Sequence, residues 1–239
     1  MIHQIPNALT LLNVFCGSCA LVSILNGRYT EGVTFLVVCL IADFLDGFAA
    51  RLLNVKSEMG KELDSLADMV SFGVVPAAIL YKLLTTATIF SFMQASYYPL
   101  LAFVITAFSC YRLAKFNLDT RQTTDFIGLN TPTNTLFFVG LLFIKINHIE
   151  GLDDLTSNAT FLYALIPISS FLLISEIPMF SLKIKGLKWS GNEARFIFGI
   201  VAVLLLLLMQ EAAIALLVVL YVLINIGSNL IFSKKETTQ

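Results

Sequence analysis

Asp43 and Asp46, then Asp64 and Asp68, are the residues of this sequence best placed to do chemistry. The first pair is spaced i,i+3 and the second i,i+4, so each pair shares one helix face. Both pairs border long apolar runs, and an aspartate at the centre of a membrane helix costs roughly 2.5–3.5 kcal/mol on insertion scales. The segment between them, Leu53 to Leu63, is short and polar. It makes the two helices antiparallel neighbours and lets four carboxylates converge at one depth. Converging anions repel unless a positive charge sits among them. Arg51 and Lys61 are candidate ion-pair partners, but they stand at the edge of the cluster. A hard divalent cation, Mg²⁺ or Mn²⁺, takes such oxygen ligands together with substrate phosphate. Two ions about 3.5–4 Å apart would clamp the attacking and leaving oxygens of a phosphoryl centre. His3 and His148 are remote in the chain, which argues against zinc. A buried salt-bridge cluster is the competing reading of the same spacing.

Small residues accompany the carboxylates. Gly47 and Ala50 share the face of Asp43 and Asp46, and Gly60 precedes Asp64 in what reads as the connecting loop. Such a face leaves room for a flat, phosphorylated ligand to approach the backbone, or for a second helix to pack closely. Of the four cysteines, Cys16 and Cys19 form a C-x-x-C inside an apolar stretch. With no second ligand pair, they read as small residues packing a helix rather than as a redox or zinc motif.

The elements that must hold these residues are membrane helices. The chain has 239 residues, 57% hydrophobic and only 13% charged, against roughly 25% charged in a soluble domain; mean hydropathy is +0.85. A soluble enzyme, a secreted disulfide scaffold and a disordered tail are excluded, and a net charge of −1 gives no reason to expect nucleic acid as a partner. Met1-Ile2-His3-Gln4 lacks the basic start of a cleavable signal, so the first apolar stretch is expected to be retained. Apolar blocks of bilayer length predict an all-α integral membrane protein with eight spans. They lie at about 8–26, 32–53, 63–84, 96–114, 133–149, 159–177, 195–210 and 212–232. Six or seven spans are the alternatives, because the last two blocks join around Gln210-Glu211.

With the N-terminus in the cytoplasm, twelve of the 15 basic residues fall on the inner side: Arg51, Lys56, Lys61, Arg112, Lys115, Arg121, Lys183, Lys185, Lys188, Arg195, Lys234 and Lys235. Arg28, Lys82 and Lys145 fall outside. This positive-inside bias predicts cytoplasmic N- and C-termini and puts the aspartates at the cytoplasmic ends of their helices. The longest polar stretch, Leu118 to Asn130, is also on that side, and residues 1–239 read as one transmembrane domain with a frayed tail at 233–239.

Asp43-Phe44-Leu45-Asp46-Gly47-Phe48-Ala49-Ala50-Arg51, eight residues to Gly60, three to Asp64 and three to Asp68 resembles the CDP-alcohol phosphatidyltransferase signature D-x2-D-G-x2-A-R-x8-G-x3-D-x3-D at every fixed position. The resemblance covers about residues 5–135. It implies that Asp43, Asp46, Asp64 and Asp68 bind metal, in all two ions of Mg²⁺ or Mn²⁺, with Asp68 also the general base. It implies that Asn7, Thr10, Gly47, Arg51 and Ser57 bind the cytidine diphosphate part of a donor, to which Ala50 and Gly60 give backbone access. Asn7 has a second reading, as the cap of the helix that follows Pro6.

Further segments resemble the phosphatidylserine synthase branch of that family: Ile5-Pro6-Asn7 with Asn13-Val14-Phe15-Cys16-Gly17, Ser71-Phe72-Gly73-Val74-Val75-Pro76-Ala77, and Arg112-Leu113-Ala114-Lys115-Phe116-Asn117. The branch implies CDP-diacylglycerol as donor, L-serine as acceptor, CMP as the second product, lipid tails lying between helices, and a homodimer. Arg112, Lys115 and Asn117 would hold serine's carboxylate by charge-assisted hydrogen bonds, or stand there as positive-inside charge. The stretch Phe126-Ile127-Gly128-Leu129-Asn130-Thr131-Pro132 departs from the branch, with Asn130 in place of a proline, which puts a polar side chain near the expected acceptor pocket. A sister enzyme using glycerol 3-phosphate or an inositol phosphate is the nearest alternative, although a phosphorylated acceptor calls for a denser basic pocket. A divalent-cation transporter is the distant one, since intramembrane carboxylates also line ion paths.

Overall fold

A computed structural model describes residues 4–55, 57–87, 98–119, 126–179 and 193–236. The chain order is α1 (Ile5–Leu25), α2 (Tyr29–Leu52), α3 (Glu58–Asp68), a π-helical turn (Met69–Val74), α4 (Val75–Thr86), a 3-10 segment (Tyr98–Phe103), α5 (Val104–Leu118), β1 (Phe126–Ile127), α6 (Thr131–Ile146), α7 (Asp153–Ser157), α8 (Ala159–Ile174), β2 (Pro178–Met179), α9 (Glu193–Met209), a 3-10 turn (Gln210–Ala212) and α10 (Ala213–Glu236). The two short strands pair antiparallel, Phe126 opposite Met179 and Ile127 opposite Pro178. The rest of the architecture is helical.

Four helices are long and apolar enough to cross a membrane: Ile5–Leu25, Tyr29–Leu52, Glu58–Thr86 and Tyr98–Leu118. Four shorter apolar helices, Thr131–Ile146, Ala159–Ile174, Phe198–Met209 and Ala213–Asn229, stand at the other four expected positions. The final apolar run is broken where Gln210 takes a positive φ of 50°, so α9 and α10 are separate helices.

α1 shows why an apolar helix turns one face inward. Pro6, Thr10, Asn13, Gly17, Ala20 and Ile24 recur at helical spacing and are buried, whereas Leu11, Phe15 and Val22 are exposed. Mostly small and polar residues make the protein contact, and large apolar ones point outward, a pattern that membrane packing favours. The turn Asn26-Gly27-Arg28, with Gly27 at φ 76°, reverses the chain so that α2 lies back along α1. The core is built around α4, whose Val75, Ala77, Ala78, Ile79, Leu80 and Leu84 are fully buried, together with Phe138 and Leu142 of α6 and Leu162 of α8.

Two boundaries differ from expectation in ways that matter for the site. α3 begins at Glu58, so Gly60 lies in its first turn and not in the connecting loop. Ser57 is the reason: its Oγ accepts a hydrogen bond from the Gly60 amide at 3.2 Å and caps the helix. α5 continues to Leu118, past the expected end at 114, which keeps Lys115 and Asn117 as well as Arg112 inside the helix. Lys56, Arg121, Lys183, Lys185, Lys188 and residues 120–125 of the polar stretch after Leu118 lie outside the described residues.

Candidate active site

Asp43 on α2 and Asp64 and Asp68 on α3 bring carboxylate oxygens within 4.8 Å of one another. The convergence follows from the two helical spacings and the tight passage from Leu53 to Ser57 between antiparallel helices. Asp46 is buried one turn further along α2 and accepts a hydrogen bond from Thr10 Oγ1 of α1 at 2.6 Å. Among the described residues, none of the four aspartates forms a salt bridge. One oxygen of Asp68, Oδ1, is buried without any hydrogen-bond partner. Arg51 and Lys61 are exposed and do not neutralise the cluster; Lys61 Nζ instead donates to the Asn117 carbonyl at 2.7 Å. Unpaired converging carboxylates with an orphaned oxygen suit a hard divalent cation better than a salt-bridge cluster.

Beside the aspartates lies a cavity of about 410 Å³ lined by Pro6, Asn7, Thr10, Asp46, Gly47, Ala50, Val55, Ser57, Glu58, Gly60, Lys61 and Asp64. Asn7, Thr10, Gly47, Ala50, Ser57 and Gly60 were all expected at a nucleotide site from the sequence. Gly60 stands close to α1, where an added Cβ would come 3.3 Å from Asn7 Oδ1. Asn7 lies within α1 rather than ahead of it; the residue at the cap is Gln4, which makes no side-chain cap bond. Arg51 is not part of the wall. Its guanidinium flanks it, 4.0 Å from where a Cβ on Gly47 would be.

The residues expected to hold serine do not share one environment. Arg112 is only 6% exposed; its Nε donates to the Leu129 carbonyl at 2.6 Å and its guanidinium lies 5.7 Å from the Phe116 ring centroid. Its two terminal nitrogens carry no hydrogen bond among the described residues, and it stands within electrostatic range of Asp68. Leu129 is itself fixed, because its amide and that of Gly128 donate to the carbonyls of Leu172 and Ile177 at the end of α8. Lys115 is engaged in an ion pair with Glu176. Asn117 Nδ2 donates to Ser65 Oγ at 2.8 Å, tying α5 to α3. Asn130 caps α6, its Oδ1 accepting from the Thr133 amide at 2.7 Å. This cap accounts for an asparagine where the related pattern has a proline.

Glu176 had no signal in the sequence, since nothing local marks it as the partner of a lysine 61 residues earlier. Asn13 and Ser71 did carry a signal, as polar residues in apolar runs. They meet where Ser71 Oγ donates to Asn13 Oδ1 at 2.6 Å. Cys16 and Cys19 are free thiols, the first buried and the second half-buried, in keeping with packing.

A helical membrane bundle carrying an intramembrane acidic centre beside a polar cavity defines a class, and the sequence comparison gives its name. Residues 3–225 match the CDP-alcohol phosphatidyltransferase family, and the chain belongs to it. Among curated relatives, it is 31% identical over 182 residues to a CDP-diacylglycerol–serine O-phosphatidyltransferase of Mycobacterium leprae (strain TN), covering 73% of this chain and 57% of that protein. It is 36% identical over 142 residues to the enzyme of the same name from Bacillus subtilis (strain 168), covering 59% of this chain and 76% of the relative. A third of that name, from Saccharomyces cerevisiae (strain ATCC 204508 / S288c), is 36% identical over 151 residues, 56% of this chain and 52% of the relative. The chain thus spans little more than half the length of the mycobacterial and yeast proteins.

Proposed function

We propose that this protein transfers the phosphatidyl group of CDP-diacylglycerol to the hydroxyl of L-serine, giving phosphatidylserine and CMP. The observation that carries the reading is the convergence of Asp43, Asp64 and Asp68 beside the cavity lined by Asn7, Thr10, Gly47, Ala50, Ser57 and Gly60. The shared name of the relatives supports serine as the acceptor.

Asp43, Asp46, Asp64 and Asp68 would hold two divalent ions, Mg²⁺ or Mn²⁺. When bound, these would neutralise the donor's diphosphate and the charge that builds on departing CMP. The cavity walls receive the cytidine diphosphate, with Gly47, Ala50 and Gly60 keeping the floor low and Arg51 flanking its outer edge. Thr10 orients Asp46 through its hydroxyl. The terminal nitrogens of Arg112, which carry no hydrogen bond among the described residues, would face serine's carboxylate, while its Nε stays on the Leu129 carbonyl. Asp68 takes the proton from serine's hydroxyl; that oxygen attacks the phosphorus bearing the diacylglycerol, and the bond from this phosphorus to the CMP oxygen breaks. No covalent intermediate with the protein is required. The positive-inside charge pattern supports a cytoplasmic location for this chemistry.

The test is CMP release by purified protein supplied with CDP-diacylglycerol and, in separate reactions, serine, glycerol 3-phosphate or inositol phosphate. Serine alone should support turnover, EDTA should abolish it, and added Mg²⁺ or Mn²⁺ should restore it. Turnover with a phosphorylated acceptor and none with serine would assign the protein to a sister activity.

A further inference from the structure

The helix that carries Asp64 and Asp68 does not run on as a regular α-helix. Directly after Asp68 it widens into a π turn over Met69–Val74, and the Val75 amide reaches back five residues to the Val70 carbonyl. Pro76 supplies a local cause. A proline lacks the N–H that would bond the carbonyl four residues earlier, and its ring crowds that carbonyl, which here belongs to Phe72. Two threonines from other helices meet the carbonyls of this turn. Thr135 Oγ1 of α6 lies 3.2 Å from the Phe72 carbonyl, sharing its proton with the Thr131 carbonyl at 2.9 Å. Thr106 Oγ1 of α5 donates to the Gly73 carbonyl at 3.1 Å. On the third side, Ser71 bonds Asn13 of α1, an approach possible only because residue 17 is glycine: a Cβ there would fall 2.3 Å from Ser71 Oγ.

A π turn holds one residue more than an α turn, so it rotates what precedes it by about 100° relative to an uninterrupted helix. The two halves of this helix have different obligations. Val75 to Leu84 fill the core, while Asp64 and Asp68 must face Asp43 across the site. In one continuous α-helix, seating Val75 to Leu84 in the core would swing the aspartates that precede them away from α2.

We propose that Thr135 and Thr106 are positioning residues: by bonding the carbonyls of the π turn they set the rotation that aims Asp68, and with it Asp64, at Asp43. The proposal rests on the reading of these aspartates as metal ligands. Π turns recur at functional sites, and this one gathers contacts from α1, α5 and α6 immediately beside the acidic centre.

The test uses the full-length purified protein and Mn²⁺ itself as probe, followed by its electron paramagnetic resonance signal. Thr135→Val and Thr106→Val each remove the hydroxyl at nearly constant volume, and the serine variants at the same positions retain it. Either valine variant should weaken Mn²⁺ binding and lower kcat by about tenfold, the scale of one lost hydrogen bond at a buried carbonyl. The KM for serine should stay near wild type, and Thr135→Ser and Thr106→Ser should restore both quantities. Thr34→Val, at an exposed threonine bonded only to its own helix, should change neither. Thr106 is only half-buried, so its variants carry the test if Thr135→Val fails to accumulate. Folded valine variants that bind Mn²⁺ and turn over as wild type overturn the proposal while leaving the metal reading intact. Asp68→Asn that retains wild-type Mn²⁺ affinity and turnover overturns both.

Discussion

Asp64 and Asp68 enter the acidic centre from successive turns of one helix, and Asp43 meets them from its antiparallel neighbour. Removing one charge from such a group, as in Asp64→Asn, keeps the shape and takes away a ligand. Turnover should then fall below detection while membrane insertion and the far-UV circular dichroism spectrum stay unchanged; substantial residual CMP release would remove Asp64 from the ligand set. Arg112 is distinguished from Lys115 by what each already holds. Arg112 has one nitrogen on the Leu129 carbonyl and two without a hydrogen bond among the described residues, whereas Lys115 is occupied by Glu176. Replacing Arg112 with Lys removes the rigid fork that can serve both partners at once. A charge-assisted hydrogen bond is worth about 1.5–3 kcal/mol, so Arg112→Lys should raise the serine KM by roughly tenfold to a hundredfold. Lys115→Ala should raise it far less, and neither should much alter the KM for CDP-diacylglycerol. Kinetics at varied serine and saturating donor check all three expectations; an unchanged serine KM in Arg112→Lys would move the acceptor site elsewhere.

The elements hold this site through their ends and their closest approaches. α6 starts at a cap made by Asn130, on the same loop that presents the Leu129 carbonyl to Arg112. Asn130→Ala should cost about 1 kcal/mol of stability, read as a lowered Tm in detergent, and should raise the serine KM because the loop loses its anchor. Asn130→Asp, which keeps the capping oxygen, should preserve the Tm. α1 approaches the π turn at Gly17, where an alanine methyl would collide with Ser71. Overpacking of this kind costs about 1–3 kcal/mol, so Gly17→Ala should lower the Tm and turnover together. A Tm equal to wild type would mean that α1 and the π turn can separate at no cost.

Across the whole molecule, the acidic centre, the cavity and Arg112 all lie toward the same end of the bundle, where Arg51, Lys61 and Lys115 also stand. The opposite end carries the loop Asn26-Gly27-Arg28 and the loop at Glu150-Gly151, both exposed. In a cysteine-free background and sealed right-side-out vesicles, Asn26→Cys and Glu150→Cys should react with a membrane-impermeant maleimide. Glu58→Cys, at the rim of the cavity, should react only after permeabilisation. The reverse pattern would turn the active site outward. Large apolar side chains are left exposed along α1 and α2, among them Phe15, Phe44 and Phe48.

The apolar blocks and the spacing of the aspartates were legible from sequence because both are set by local geometry. A bilayer fixes how many apolar residues a span needs, and helical pitch puts i,i+3 and i,i+4 carboxylates on one face whatever they later pack against. The residues that line the cavity were expected together through the family resemblance rather than from local geometry, and most of them belong to one helix hairpin. Local pattern says nothing of partners brought together across the bundle. Thr10 reaches Asp46 over 36 residues, Lys115 reaches Glu176 over 61, and Thr135 reaches the Phe72 carbonyl over 63. The pairing of Lys115 with Glu176, and of Arg112 with the Leu129 carbonyl, separated Arg112 from the rest of the expected acceptor residues. Pro76 showed only that regular hydrogen bonding must fail near Phe72. The hydroxyls that meet the carbonyls of the π turn, those of Thr106 and Thr135, come from α5 and α6, and only the tertiary structure could bring them there, because a freed carbonyl inside a bundle must find its donor on a neighbouring helix.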